Sequence, residues 1–567
     1  MSSASGFSAI RTEGGLLPAD LLSRLAGPDA ALPGLSTADY HLAPGERSTE
    51  AIARSWNRLV PLWRRFATVL EGLGEGDPAA GATRDGWLYP LLDELGYGRP
   101  APTKALEIEG KSYPISHLRG RLPLHLVGAG TSLERRQAGV RGAASASPHS
   151  MVQELLNRSE KYLWAMLSNG RQLRILRDNV SMTRQAFVEF DLEAIFANEL
   201  YEEFVVLWLV CHESRFDSES PEASWLERWR EEAESTGARA LDALRGQVEQ
   251  AIALLGRGFL SFSDNRELRR RIRSGELDRL DYYRQLLRLV YRLIFLLVAE
   301  DRGLLLVPEA DELARQRYRD HYGVGRLRAL AAGRSSREPH PDLWRSLLVV
   351  MRGLSSPEGV PALGLPALGS FLWSGEATPD LDGSDISDTD LLAALRSITF
   401  LVDRDARILR PIDYRNLGAD ELGGIYEGLL ELHPVLEEDG SHFALETFAG
   451  SERKSTGSYY TPDSLIVALL DSALNPLLDE AMRAREPEEA LLALRVLDPA
   501  VGSGHFLVAA GRRIAHRLAA VRTGDEEPSP DAVRHALRDV VGKCLYGIDL
   551  NPMACVIQMS RRPGSTA

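Results

Sequence analysis

The stretch LRVLDPAVGSGHFLVAAGRRIAHRLA, residues 494–519, decides the fold. It opens with a short apolar strand, Arg495 to Leu497, and Asp498 sits at the carboxyl end of that strand. A turn built on Gly502, Ser503 and Gly504 follows, and from about Phe506 apolar residues recur at helical spacing. Strand, glycine turn and helix in this order form the first unit of a doubly wound sheet, whose ligands bind outside the carboxyl ends of the strands. The glycines let a ligand approach the main chain where a Cβ would block it. An acid at the strand tip suits a positively charged ammonium.

Two further stretches extend this unit. In KCLYGIDLNPMA, residues 543–554, Cys544 to Ile548 reads as the next parallel strand, ending at Asp549, whose carboxylate can accept both hydroxyls of a ribose. Asp549 follows Asp498 by 51 residues, whereas the simple dinucleotide fingerprint places its acid roughly 20 residues on. The longer gap holds the first helix, a GDEEPSPD loop and a second helix from about Ala532, so a nicotinamide-type domain is the poorer fit. Upstream, STGSYYTPDSLIVALL, residues 455–470, places Tyr460 and Thr461 before a helix with Pro462 as its first position. Aromatic and hydroxyl-bearing residues at a helix start can pack on a ligand and donate to its carboxylate.

In the order GSYYTP, DPAVGSGHFL, GIDLNPMA, the sequence resembles the adenine-specific DNA methyltransferases of restriction-modification and phage-defence systems. The likeness is greatest to large type IIG enzymes and PglX-like methylases. It extends upstream through NGRQLRILRDNVSMTRQAFVEFDLEAIF, LIFLLVAEDRG and LGGIYEGLLE, and so runs from about residue 85. The resemblance implies transfer of a methyl group from S-adenosyl-L-methionine to the exocyclic amine of adenine in double-stranded DNA. It also implies a cofactor site lined by Tyr460, Thr461, Pro462, Asp498, Ala500, Gly502, Gly504 and Asp549.

The family's chemistry uses a later motif, Asn or Asp followed by Pro-Pro and an aromatic residue, which holds the amine of a flipped-out adenine and stacks on the base. The sequence holds no such tetrapeptide: Asn475-Pro476 is followed by Leu-Leu, and Asn551-Pro552 by Met-Ala. The resulting expectation is a truncated enzyme, the cofactor-binding half without a catalytic residue, whose C-terminal portion is unstable alone or is completed by a second polypeptide. Two parallel strands alone would leave open edges and an uncovered apolar face. The alternative is a non-catalytic remnant, or a module that binds DNA or a partner.

Composition bounds the remaining possibilities. A chain of 567 residues suggests about three domains at ~150 residues each. A net charge of −14 argues against a protein that coats DNA non-specifically. Of the 66 basic residues 61 are Arg, which reads as genome bias and localises nothing. Cys211, Cys544 and Cys555 fit neither a disulfide framework nor a zinc motif, so a reducing, cytoplasmic setting is expected. The N-terminus lacks a signal-peptide pattern. The apolar run Leu293 to Ala299 is far short of the ~20 residues a membrane span needs, and reads as part of a buried helix.

The fold class expected is α/β. Residues 1–47 read as a flexible arm and 48–216 as a mixed α/β domain with a nuclease ancestry as one option. Residues 217–410 read as a helical connector and 411–567 as the start of a class I, Rossmann-like methyltransferase domain. Within the second region a helix is expected from about Glu50, strands at Leu122 to Val127 and Leu173 to Leu176, and one helix over residues 147–170, closed by Asn169-Gly170. Residues 225–306 read as strongly helical, and 307–400 as helices joined by long loops. A magnesium nuclease needs an acid and then acid-x-Lys. Glu109-Gly110-Lys111, with Asp85 or Asp93 upstream, has that spacing, and a solvated turn explains it as well. His117, His125 and His149 are too irregularly placed for a metal site, so none is expected. Trp164, Tyr282, Tyr283 and Tyr291 read as core.

Overall fold

The computed structural model describes residues 7–549, apart from 15, 28–31, 73, 75–76, 179–185, 218–219, 334–339, 404–407, 413, 415–431, 437–442, 448–462 and 503. The chain divides into two units: Met1–Thr236 with Ala481–Leu491 and Arg512–Leu537, and Gly237–Glu480 with Leu492–Gly511 and Arg538–Ala567.

The first unit is built on a six-stranded mixed sheet. Its strands are β1 (Ile10–Glu13), β4 (His117–Arg119), β5 (Leu122–Leu126), β6 (Trp164–Ser168), β7 (Gln172–Arg177) and β8 (Phe187–Asp191), in the order β1-β8-β7-β6-β5-β4. Only the β5–β6 pairing is parallel, and the helix Pro148–Arg158 makes the crossover that a parallel pair requires. Side chains alternate between the two faces, as the strand period demands. Met166, Ile175, Val188 and Phe190 join one core with Trp63, Trp87, Phe196 and Trp208. Ala165, Leu167, Leu176 and Phe187 join the other, with Val152 and Leu155 of the crossover helix. A separate hairpin pairs β2 (Leu106–Ile108) with β3 (Lys111–Tyr113).

Two sequence expectations are corrected here. The described part of residues 1–47 is not a flexible arm. β1 is an edge strand paired with β8, and the helix Ala19–Ala26 buries Leu21, Leu22 and Leu25. The Gly- and Pro-rich composition masked this short amphipathic segment. Residues 147–170 are not one helix: the helix stops at Arg158, and Trp164–Ser168 is a fully buried strand. Asn169-Gly170 instead turns the chain from β6 into β7. Asn169 Oδ1 accepts the amides of Arg171 (3.1 Å) and Gln172 (2.9 Å), and Gly170 takes φ +83°.

The second unit is mainly helical. Gly237 onward of the helix Trp225–Ser261 packs with Arg279–Asp301, Asp342–Ser355 and Asp388–Thr399 around Leu255, Phe259, Leu293, Trp344 and Leu395. Leu293, Ile294, Leu296 and Leu297 are buried in this core, as are Tyr282 and Tyr283. Among the described residues no helix is long and apolar enough to cross a membrane. Two hairpins, β9 (Phe400–Asp403) with β10 (Ile408–Pro411) and β11 (Leu432–Leu436) with β12 (Phe443–Thr447), follow the helices. Gly256 is required by the second hairpin: a Cβ there would lie 2.4 Å from the Phe443 ring. A two-stranded parallel sheet, β13 (Val496–Asp498) with β14 (Leu545–Gly547), carries the motif residues.

The division differs from the sequence map, which kept 411–567 together. The acidic loop before the helix Pro530–Lys543 explains part of it. Asp525 Oδ1 accepts from Ser147 N (3.3 Å), Glu526 pairs with Lys111 (3.0 Å) and Arg158, and Glu527 accepts from Asn157 (3.2 Å).

Candidate functional site

The site grows from the pairing of β13 with β14. The strands run parallel, with Asp498 opposite Gly547. The Ile548 amide donates to the Asp498 carbonyl (2.9 Å), and the Val501 amide donates to the Ile548 carbonyl (3.0 Å). These bonds carry the ladder past the formal strand ends and fix the glycine turn against the tip of β14. Asp498 and Asp549 therefore emerge at the same carboxyl end of the sheet, both half-buried.

Each carboxylate is oriented by main-chain amides. Asp498 Oδ1 accepts from the Ala500 amide at 3.0 Å, closing a local turn. Asp549 Oδ2 accepts from the Gly502 amide at 2.8 Å, across 47 residues of sequence. A carboxylate offers about four acceptor positions, and the Gly502 amide takes one of them and fixes the plane of Asp549.

The glycines meet two different needs. Gly502 has φ +50° and Gly504 φ +85°, conformations that L side chains adopt rarely. A Cβ built on Gly502 meets nothing within 4 Å, so the space in front of it is open. Gly504 is buried and closes the turn by donating to the Val501 carbonyl at 2.8 Å. The helix His505–Thr523 then begins, and its amino end carries partial positive charge toward the turn.

Of the eight candidate residues, Asp498, Ala500, Gly502, Gly504 and Asp549 come together at this strand end. Tyr460, Thr461 and Pro462 lie outside the described residues. The surrounding face is apolar and uncovered: Leu497 is 58% exposed and Ile548 60%, with Tyr546 beside them. A feature the sequence reading missed is the role of the Val501 and Ile548 main chain in clamping the turn, for which the side chains give no signal.

The residues of the other candidate clusters are engaged within the fold. Glu109 and Gly110 occupy the tight turn of the β2–β3 hairpin with φ +50° and +79°, the combination that two-residue hairpin loops favour. Lys111 is bound to Glu154 (2.5 Å) and Glu526 (3.0 Å). His117 contacts Tyr89 Oη and Ser116 Oγ (both 2.8 Å), His125 contacts the Gly142 carbonyl (2.9 Å), and His149 contacts Arg174 (3.3 Å). Burial lowers the pKa of His117 and His125 to about 4 and of His149 to about 3. No cluster that could hold a metal ion exists among the described residues.

Residues 438–558 match the N-6 DNA Methylase family, an interval containing all eight candidate residues. The adenine-specific methyltransferase PglX of Streptomyces coelicolor (strain ATCC BAA-471 / A3(2) / M145) is 36% identical over 179 residues, covering 28% of this chain. The chain spans 13% of the length of that relative. No solved structure matches. The segment that builds the strand-end site is thus similar to N-6 DNA methylases.

Proposed function

We propose that this chain supplies the S-adenosylmethionine-binding part of a DNA adenine-N6 methyltransferase. The observation that carries the reading is the Gly502–Asp549 bond. It places an oriented carboxylate beside an open glycine turn at the carboxyl end of two parallel strands. The residues present suit the cofactor. Open space at Gly502 suits the methionine portion, Asp498 suits its ammonium, and the Asp549 carboxylate suits the ribose hydroxyls. The amino end of the helix at His505 favours the carboxylate. The bound cofactor would supply an electrophilic methyl group on sulfonium sulfur. Asp498, Gly502 and Asp549 would hold and orient that cofactor, and positioning of this kind is worth several orders of magnitude in rate.

We propose further that the adenine-binding half comes from additional polypeptide carrying the Asn-Pro-Pro-aromatic segment. The exposed Leu497, Tyr546 and Ile548 face, with one partner strand for each of β13 and β14 among the described residues, supports a sheet that more chain completes.

The direct test is calorimetric titration of S-adenosylmethionine into wild type and Asp549→Ala. Loss of charge-assisted hydrogen bonds worth about 1.5–3 kcal/mol predicts roughly 10- to 150-fold weaker binding. Equal affinities, or no binding by wild type, would sink the proposal.

A further inference from the structure

We infer that the arginine face of the helix Arg266–Arg273 docks on the phosphate backbone of duplex DNA. The inference rests on the DNA-methylase reading and deepens it by naming a surface for the polynucleotide. Arg is 61 of 567 residues overall, yet five of the eight in this helix, RELRRRIR. Arg266, Arg269, Arg270 and Arg273 recur at spacings of three and four and line one open groove with Ser274.

Not all of this charge is committed to the fold. Arg271 reaches away to Asp380, and Arg270 is neutralised by Glu267 (2.7 Å) and Glu276 (2.6 Å). Arg269 donates to three main-chain carbonyls, Leu260 (2.8 Å), Phe262 (2.6 Å) and Ser263 (2.8 Å). Those partners are neutral, so its positive charge persists. Arg266 is exposed and makes no side-chain hydrogen bond or ion pair among the described residues. Arg273 is also exposed, and it has an interaction within the fold.

Helix stability explains only part of the pattern. Cations in the last turn complement the helix dipole, which accounts for Arg270, Arg271 and Arg273. Arg266 stands in the first turn, where the same dipole opposes a cation. The face is also pre-organised. Leu268 and Leu277 are buried on either side, and Arg269 ties the helix to the end of its predecessor, so little order remains to be lost on binding.

Geometry favours a regular polyanion. From Arg266 to Arg273 the face extends about 10 Å along the helix axis. One DNA strand carries a phosphate every ~3.4 Å of duplex axis, so about three phosphates fit this span. The planar guanidinium fork matches phosphate oxygens. In a chain of net charge −14, a local positive face of this kind also orients an approaching polyanion.

The experiment is fluorescence anisotropy of a labelled 30-base-pair duplex with the full chain across 50–200 mM NaCl. It compares wild type, Arg266→Ala/Arg273→Ala, Arg266→Lys/Arg273→Lys, and the control Arg319→Ala, an exposed arginine elsewhere in the same unit. Each lost phosphate contact flattens the plot of log affinity against log salt by about 0.9. The double alanine variant should therefore flatten it by about 1.8, equally on unrelated sequences, with the lysine pair largely restoring it and Arg319→Ala leaving it unchanged. If wild type binds DNA and the double variant keeps its slope, the groove assignment falls while the methylase reading stands. If wild type binds S-adenosylmethionine but no DNA, both the docking surface and the DNA substrate fall. If polyglutamate at equal charge displaces DNA from wild type, the face belongs to an acidic polypeptide and the inference is overturned.

Discussion

Substituting Gly502 by Ala separates a turn that merely folds from a turn that receives a ligand. Gly502 adopts φ +50°, and a Cβ placed there meets nothing within 4 Å. The folded protein therefore bears only the backbone cost of a left-handed non-glycine residue, about 1–2 kcal/mol. For a unit of this size a cost near 1 kcal/mol lowers Tm by about 2–4 °C. Binding behaves differently, because the methyl group enters the space assigned to the cofactor. Forcing an extra carbon into an occupied site costs about 1–3 kcal/mol, which is roughly 5- to 150-fold in Kd. Differential scanning fluorimetry measures the first quantity, and titration with S-adenosylmethionine measures the second. A small Tm shift with an unchanged Kd would refute the reasoning, since the turn would then be structural only. A collapse of Tm would refute it from the other side by showing that the space is not open.

Three further outcomes follow from the first unit. His125 and His149 have their proton affinity lowered by burial to about 4 and about 3, against about 6.5 unfolded. Their stabilising effect is whole above pH 6.5 and is lost as pH falls toward 4. At about 1.36 kcal/mol per pH unit each site costs about 2.5 kcal/mol by pH 4.5. The urea midpoint should drop accordingly between pH 7.5 and 4.5, and His125→Gln/His149→Gln should flatten the drop; an equally steep drop in that variant rejects the assignment. Arg174, 2% exposed, lies between Glu189 and Glu134 (2.6 Å). Arg174→Ala strands a buried carboxylate and should cost about 3–5 kcal/mol, while a loss under 1 kcal/mol in chemical denaturation would show the site to be hydrated. Lys111→Ala should lower stability by about 1 kcal/mol through its half-exposed ion pairs. Magnesium-dependent DNA nicking by wild type that this variant abolishes would overturn the structural role given to Lys111.

What the sequence discloses is governed by range. The alternation of Leu173, Ile175 and Val188, Phe190 is a period-two signal carried within a few residues, and β7 follows from it. The helical spacing of Ile52, Leu59 and Trp63 is equally local, and those side chains are buried along the helix Ser48–Glu71. Failures occur where two local signals compete. In residues 147–170 the run WAMLS continues an apolar helical pattern, and Asn169-Gly170 serves a helix end or a hairpin equally well. Pairing with Leu124 and Ile175 on neighbouring strands decides for the strand. The edge strand Ile10–Glu13 depends on β8, 174 or more residues away, and nothing nearby announces it.

Charge misleads for a different reason. With 61 arginines in the chain, composition alone suggests that no cluster carries meaning. Arg269 donates only to carbonyls and Arg270 is neutralised by two glutamates, a difference that requires coordinates. The same holds for the two acids of the candidate site. Their sequence spacing of 51 residues favours a methylase-like connection over a dinucleotide one, but it leaves open whether the carboxylates meet. Parallel pairing of Val496 with Leu545 brings them to one edge. The Gly502 amide then bonds one oxygen of Asp549 and orients the carboxylate. The site is therefore specified by main-chain geometry as much as by side chains. Asp549→Asn keeps an acceptor for that amide but removes the carboxylate charge. It should hold the turn in place while weakening binding less than Asp549→Ala, and an equal loss in both variants would show that charge, rather than the shape the amide imposes, governs affinity.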